Sequence, residues 1–150
     1  MVLEKTWRWV FLAFESQAEG NPVQNWFDRL PEEDRYEITD LLDNLQKVND
    51  RLWPKEVYNA LRGEGGISEI RIPNLKRFRD GRVQIITYRV YGFFGPFQQC
   101  YTFLHGTTKD VKNDREGKKI AKQRLDRLRA GLGTGAVSIR KLAFEGGADS

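Results

Sequence analysis

The sequence predicts an α+β protein, with a small antiparallel β-sheet, a pair of helices near the N-terminus and a basic helix near the C-terminus. Two observations support this prediction. Apolar residues recur at three- and four-residue steps in long segments, which is typical of amphipathic helices. Three shorter segments, rich in β-branched and aromatic residues, follow one another at spacings that suit antiparallel neighbours. The predicted element order is β-α-α-β-β-β-α, and 150 residues are enough to bury a core.

The first half of the chain supplies one strand and the helical pair. The segment TWRWVFLAF is rich in aromatic and β-branched residues over the length of a strand. Asn21 followed by Pro22 is a favoured helix start, so a first helix is predicted over NPVQNWFDRL. Pro31 opens a second helix, whose apolar stripe consists of Ile38, Leu41, Leu42, Leu45, Val48 and Leu52.

The second half supplies the three meander strands. ISEIRI alternates, with Ile70 and Ile72 on one face and Glu69 and Arg71 on the other. RVQIITYRVY and FQQCYTFLHG are the second and third strands, and the turn-prone GFFGP separates them. The segment PNLKRFRDG, between the first two strands, is predicted to be a basic loop.

The last helix and the segment after it complete the predicted domain. Asn113 with Glu116 three residues later is a capping-box pattern that predicts the helix start, and Gly131 predicts its end. Residues 1–132 are therefore predicted to form one domain. The glycine-rich segment 133–150 is expected to be disordered, to add an edge strand, or to dock on a partner.

The composition restricts the possible classes of function. A single cysteine, Cys100, cannot form an intrachain disulfide, and no Cys/His spacing suits zinc, so neither metal nor cofactor is expected. No apolar run approaches the roughly 20 residues of a membrane span, and a cytoplasmic location is expected. The net charge of +4 is unevenly divided, because residues 1–66 carry 8 Lys+Arg against 13 Asp+Glu and residues 67–150 carry 17 against 8. The second half thus has the charge expected of a surface that meets phosphates.

An antiparallel meander would gather distant basic residues at one edge of the sheet. The end of its first strand, the start of the second and the end of the third meet there, which brings Arg71, Arg82 and His105 together. The predicted loop and the segment after His105 add Lys76, Arg77, Arg79, Lys109 and Lys112. His105 is the only histidine and the one group there that titrates near neutral pH, so the cluster suits polyanion binding with proton transfer. Alternatively, His105 is a structural residue and the arginines pair with nearby acids.

Three motifs resemble the RelE/HigB toxin superfamily, most closely its phage-derived HigB-like branch. They are SEIRI before a basic segment, RVQIITYRVY as the central strand, and YTFLHGTTKDVKND leading into KKIAKQRLDRL. His105, Lys109, Ala121 and Arg124 match the strand, hinge and helix pattern of that branch. Asp110 stands where a second lysine of the hinge would fall.

The resemblance implies a toxin of a type II toxin–antitoxin system that cleaves mRNA on the ribosome. The implied reaction is attack of a ribose 2′-hydroxyl on the neighbouring phosphate without metal. The implied partners are a cognate antitoxin, often of helix-turn-helix type, together with the ribosome and mRNA.

The roles of the basic residues follow from this implied reaction. His105 would act in acid–base catalysis, with a lysine, Tyr101 or a ribosomal group as the second proton carrier. The phosphate would be stabilised by Arg71, Arg82 and Lys109. RNA would be held by Lys76, Arg77, Arg79, Lys112, Arg115 and Lys119. Two alternatives stay open, which are a non-enzymatic nucleic-acid-binding module of the same fold and a protein-interaction adaptor built on the acidic first half.

Overall fold

A computed structural model of the chain describes residues 8–108 and 114–142, and its fold is α+β, as the sequence predicts. The strands are β1 (Val10–Ser16), β2 (Tyr58–Ala60), β3 (Ser68–Arg79), β4 (Arg82–Phe94), β5 (Cys100–Thr107) and β6 (Val137–Lys141). The helices are α1 (Pro22–Asp28), α2 (Glu32–Gln46) and α3 (Arg115–Gly131). Within the described ranges, no helix is long and apolar enough to cross a membrane.

The six strands form one mixed sheet in the order β2-β3-β4-β5-β1-β6. β3, β4 and β5 are an antiparallel meander, which confirms that prediction. β1 runs parallel to β5, with Val10 opposite Cys100, so the prediction of a wholly antiparallel sheet is wrong. The connection from β1 to the meander contains two helices, and a connection of that length can return the chain to either end of the sheet.

The sheet is covered by helices on both faces. On one face α1 and α2 bury the larger core, which includes Phe11, Phe27, Ile38, Val90 and Phe103. On the other face α3 buries a smaller core, which includes Phe14, Tyr91, Leu104, Leu125 and Leu128. Of the functional candidates, His105 and Arg71 lie on the second face, because they share the side of the sheet on which Tyr91 lies.

The second helix is shorter than predicted. α2 ends at Gln46, and Leu52, expected on its buried stripe, is 72% exposed. The carbonyl oxygen of Val48 accepts hydrogen bonds from the indoles of Trp9 at 3.1 Å and Trp53 at 3.2 Å. These two side chains satisfy a backbone acceptor that a longer helix would have used, so the chain leaves the helix at this point.

β3 and β4 form a hairpin whose far half projects beyond the neighbouring strands. Residues 73–81, predicted as a basic loop, are instead strand followed by the turn Asp80–Gly81, whose φ values of 53° and 74° are typical of a type I′ hairpin. β2 pairs only with Ser68–Ile70 of β3, and β5 pairs only with Arg89–Phe94 of β4. Residues 73–88 therefore form a two-stranded ribbon in the described structure.

The cap of α3 lies one residue later than predicted. The carboxylate of Asp114 accepts the backbone N–H of Gly117 at 3.0 Å, so Asp114 is the N-cap. Asn113, the predicted cap, lies outside the described residues. The helix ends at Gly131, as predicted.

The segment after α3 returns to the sheet. Of the three alternatives for residues 133–150, the edge strand is the one observed, because Val137–Lys141 pairs antiparallel with β1. The predicted domain boundary after residue 132 therefore does not end the sheet. Residues 143–150 lie outside the described part of the chain.

Candidate functional site

A β-bulge in β5 places His105 on the face covered by α3. Tyr91 pairs with His105 but Gly92 pairs with Phe103, so Leu104 is an extra residue in the strand. Strict alternation would send Leu104 and His105 to opposite faces, whereas the bulge keeps both on the same face. Leu104 is buried in the α3 core, and the ring of His105 lies parallel to that of Tyr91 with their centroids 6.4 Å apart.

Arg124 of α3 fixes both the bulge and the imidazole. Its Nη1 donates to the carbonyl oxygen of Leu104 at 2.8 Å and lies 3.2 Å from Nδ1 of His105. Its Nε and Nη2 donate to Oε2 of Glu19 at 3.0 and 2.7 Å. Because a guanidinium can only donate, Nδ1 is the acceptor, and Nε2 carries the hydrogen of the neutral ring.

The imidazole of His105 is neutral at pH 7. The pKa of His105 is lowered from 6.5 to about 4, mainly by burial and next by the positive charge of Arg124. Asp114 and Glu116 act in the opposite direction, but their effect is smaller. A bound phosphate would add a negative charge beside the ring and would raise this pKa again.

Two arginines lie directly across from each other on the same face. Arg71 of β3 pairs with Arg89 of β4, which pairs with Thr107 of β5. Arg89 is only 9% exposed, and within the described residues the Nε atoms of both arginines lack a hydrogen-bond partner. One carboxylate oxygen of Glu69 lies 2.5 Å from Nη2 of Arg71. Like charges directly opposite are unfavourable, and the carboxylate of Glu69 offsets part of this repulsion, as the alternative of arginines paired with nearby acids expects; a bound anion would offset more of it.

The arginine pair is close to His105. From the strand register, the Cα of Arg71 lies about 12 Å from that of His105, and long side chains on one face can span much of this gap. The sequence prediction that places Arg71 near His105 is therefore confirmed. Arg89 was not singled out from the sequence, although its alternation with Val90 and Tyr88 would have placed it on the face of Arg71.

Arg82 does not share this location. It pairs with Arg79 at the tip of the hairpin and lies seven positions before Arg89, or about 23 Å along the strand. The prediction that Arg82 lies beside His105 is wrong, because β3 and β4 extend to the Asp80–Gly81 turn and carry Arg82 away from the meander edge.

Tyr101, expected as a possible second acid–base group, lies in the core under α1 and α2, on the opposite side of the sheet from His105. It is fully buried under α1 and α2, and its hydroxyl lies 2.8 Å from Oγ of Ser68. Burial raises its pKa. Tyr91 does face α3, but burial and Asp114 raise its pKa, and its hydroxyl donates to Oδ2 of Asp114 at 3.0 Å. Both tyrosines are structural in this geometry.

Arg77 and Arg79 hold the ribbon against α2 and are not freely available to RNA, which corrects their predicted role. Both donate to the fully buried carboxylate of Asp34, Arg77 through Nε at 2.5 Å and Arg79 through Nη2 at 3.3 Å. The hydroxyl of Tyr88 donates to the same carboxylate. Lys76 lies on the opposite face of the ribbon and is exposed.

The first turns of α3 present a basic surface. A depression of about 450 Å³ is lined by Glu64, Arg115, Lys118, Lys119 and Lys122. Arg115 and Lys119 are exposed there, as contact with RNA phosphates would require. Lys109 and Lys112 lie outside the described residues, so their placement stays a prediction.

The site thus offers a neutral imidazole, a pair of arginines and a basic helix surface, which suit binding and proton transfer at a phosphate. No protein-family model, curated protein or solved structure matches this chain. The resemblance to the RelE/HigB superfamily therefore rests on the sequence motifs. In the described part of the chain, no group of three or more His, Cys, Asp and Glu side chains could hold a metal ion.

Proposed function

We propose that the protein is a metal-independent endoribonuclease of a toxin–antitoxin system, with a RelE/HigB-like fold, acting on ribosome-bound mRNA in the cytoplasm. The observation that carries the proposal is the position of His105 on the same sheet face as the Arg71–Arg89 pair. The basic surface of α3 adjoins this face and supplies contacts for the RNA backbone. A cognate antitoxin of helix-turn-helix type is the proposed neutralising partner.

The reaction needs a carrier for one proton and stabilisation of a crowded phosphate. Arg71 and Arg89 hold the phosphate oxygens as negative charge builds up on them. The 2′-oxygen forms a bond to phosphorus, the bond from phosphorus to the 5′-oxygen breaks, and the products are a 2′,3′-cyclic phosphate and a 5′-hydroxyl. The 2′-hydroxyl proton passes to His105, and from it, or from a ribosomal group, a proton reaches the leaving oxygen.

Arg124 regulates this proton transfer. In the free protein its guanidinium occupies Nδ1 of His105, and the low pKa of the ring opposes protonation. A bound phosphate gives Arg124 another partner and raises the pKa of the imidazole, so the ring becomes able to hold a proton when substrate is present. Slow cleavage of free RNA is expected, because the ribosome would supply the in-line positioning of the substrate.

A non-catalytic RNA-binding module of the same fold is the second candidate. The contact between Arg124 and Nδ1 favours it, since this contact keeps His105 out of proton transfer. Asp110 in place of a second lysine points in the same direction. This candidate predicts salt-dependent RNA binding without cleavage.

Induced expression in a bacterium tests the proposal directly. The wild-type protein should stop growth and leave mRNA fragments ending in 2′,3′-cyclic phosphate. His105→Asn and Arg71→Ala should each reduce cleavage on programmed ribosomes by about 100-fold or more. Arg82→Ala is the matched control, because it removes an arginine far from the site, and it should cleave like wild type. Binding of RNA without any cut would support the second candidate, and loss of cleavage in Arg82→Ala alone would contradict the site.

A further inference from the structure

A second depression, of about 600 Å³, lies beside the candidate site at the end of β5. Its apolar wall consists of Pro22, Trp26 and Leu30, and its polar wall includes Asn25, Arg29 and Thr108. Glu19 and Arg124, the ion pair that positions His105, also line it. The depression is therefore separated from the imidazole by one side chain, and its volume is in the range of small-molecule sites.

Trp26 gives this depression an aromatic wall that its neighbours hold in place. The indole packs edge-on against Tyr88, with ring centroids 6.0 Å apart, and lies so close to Gly106 that a Cβ there would come within 2.3 Å of Cε3. Its position is thus fixed by the sheet behind it. Its Nε1–H is buried and, within the described residues, has no hydrogen-bond partner.

We propose that this depression binds one nucleobase of the RNA, stacked on Trp26, next to the phosphate held beside His105. The proposal rests on the proposed function, whose substrate it makes more specific. A nucleobase is flat, which suits an aromatic wall, and it carries donors and acceptors along its edge. The amide of Asn25, the guanidinium of Arg29 and the hydroxyl of Thr108 provide matching groups around the rim. The depression would then select which base precedes or follows the cleaved bond.

Titration with free nucleotides tests the site without any need for catalysis. The probes are AMP, GMP, CMP and UMP, with ribose 5-phosphate as the ligand that lacks a base. The chain has four tryptophans, so its ¹⁵N-labelled form gives four indole N–H signals, and the spectrum of Trp26→Phe identifies that of Trp26. At least one nucleotide should shift the Trp26 signal and leave the Trp53 signal in place, whereas ribose 5-phosphate should not. Equal shifts with and without a base would overturn the proposal.

A second variant and its control keep the test valid if Trp26→Phe fails to fold. Asn25 and Arg29 are exposed, so the double variant Asn25→Ala, Arg29→Ala should fold normally and bind the preferred nucleotide at least about fivefold more weakly. Tyr36→Ala is the matched control, since it removes an exposed aromatic ring of α2 that does not line the depression, and its affinity should equal that of wild type.

The outcome separates this inference from the proposed function. Nucleotide binding without RNA cleavage would uphold the base site and refute the nuclease. Cleavage with no nucleotide-induced shift at Trp26, and with unchanged base preference in the double variant, would uphold the nuclease and refute the base site.

Discussion

Acidification from pH 7 to pH 5 should destabilise the protein through His105. The pKa of this imidazole is about 4 in the folded protein, against 6.5 for an exposed histidine of the unfolded chain. Between these values the unfolded chain binds more protons, so the stabilising contribution of neutral His105 is fully present above pH 6.5 and is lost as the pH falls toward 4. By linkage, these two pKa values correspond to a loss of about 2 kcal/mol in the free energy of unfolding between pH 7 and pH 5.

Urea denaturation at several pH values measures this loss. With an m-value of 1–3 kcal/mol per molar urea, the midpoint should fall by about 1 M from pH 7 to pH 5. His105→Asn removes the titration and should lose much less stability over the same interval, because most carboxylates stay ionised above pH 5. In tag-free protein His105 is the only imidazole, so its NMR titration gives the pKa directly. If the imidazole titrated near pH 6.5, or if wild type and His105→Asn lost equal stability, burial and Arg124 would not lower the pKa of His105 as described.

Two further predictions concern the buried contacts that hold the ribbon against α2 and Trp26 against β5. Asp34→Asn should lower the free energy of unfolding by about 3 kcal/mol or more, because it leaves two arginines without their buried carboxylate. Calorimetry measures this loss. The exposed Glu33→Gln is the control, and its free energy of unfolding should fall by less than about 0.5 kcal/mol. Gly106→Ala should lower the free energy of unfolding by about 1–3 kcal/mol, because its methyl group would overlap the indole of Trp26. Thr108→Ala changes an exposed residue nearby and should leave the stability nearly unchanged. Equal melting temperatures for these two variants would contradict the described packing.

The local patterns of the sequence predicted the meander and the three helices, but not all of their limits, since β3 continues to Arg79 and α2 ends at Gln46. Alternation in ISEIRI identified β3 as a strand and the apolar stripe identified α2 as a helix, because these signals depend on neighbours within a few residues. The far half of the β3–β4 hairpin was misread as a loop, although Asp80–Gly81 is a strong hairpin signal between two strand-like segments. The cluster of Lys and Arg in that segment obscured the alternation, since Arg77 and Arg79 face a buried acid instead of solvent.

The site was predictable in part. His105 and Arg71 were correctly placed near each other by antiparallel geometry, which fixes which residues can meet. Arg82 was misplaced because strand length, and not strand order, sets its distance from the meander edge. Arg89 could have been recognised from its alternation with Tyr88 and Val90, but the Trp26 depression could not, because it depends on elements that are distant in sequence and come together only in the folded chain.

The amino-acid sequence by itself determined the α+β class, the order of the main helices and strands, and the accumulation of positive charge in the second half. These properties follow from side-chain periodicity and composition, which act locally. Tertiary structure decided that β1 runs parallel to β5, that the bulge at Leu104 turns His105 toward α3, and that Arg124 and burial keep this imidazole neutral. The pKa of a side chain and the face of the sheet on which it lies depend on contacts with residues distant in sequence, and short-range patterns do not specify those contacts.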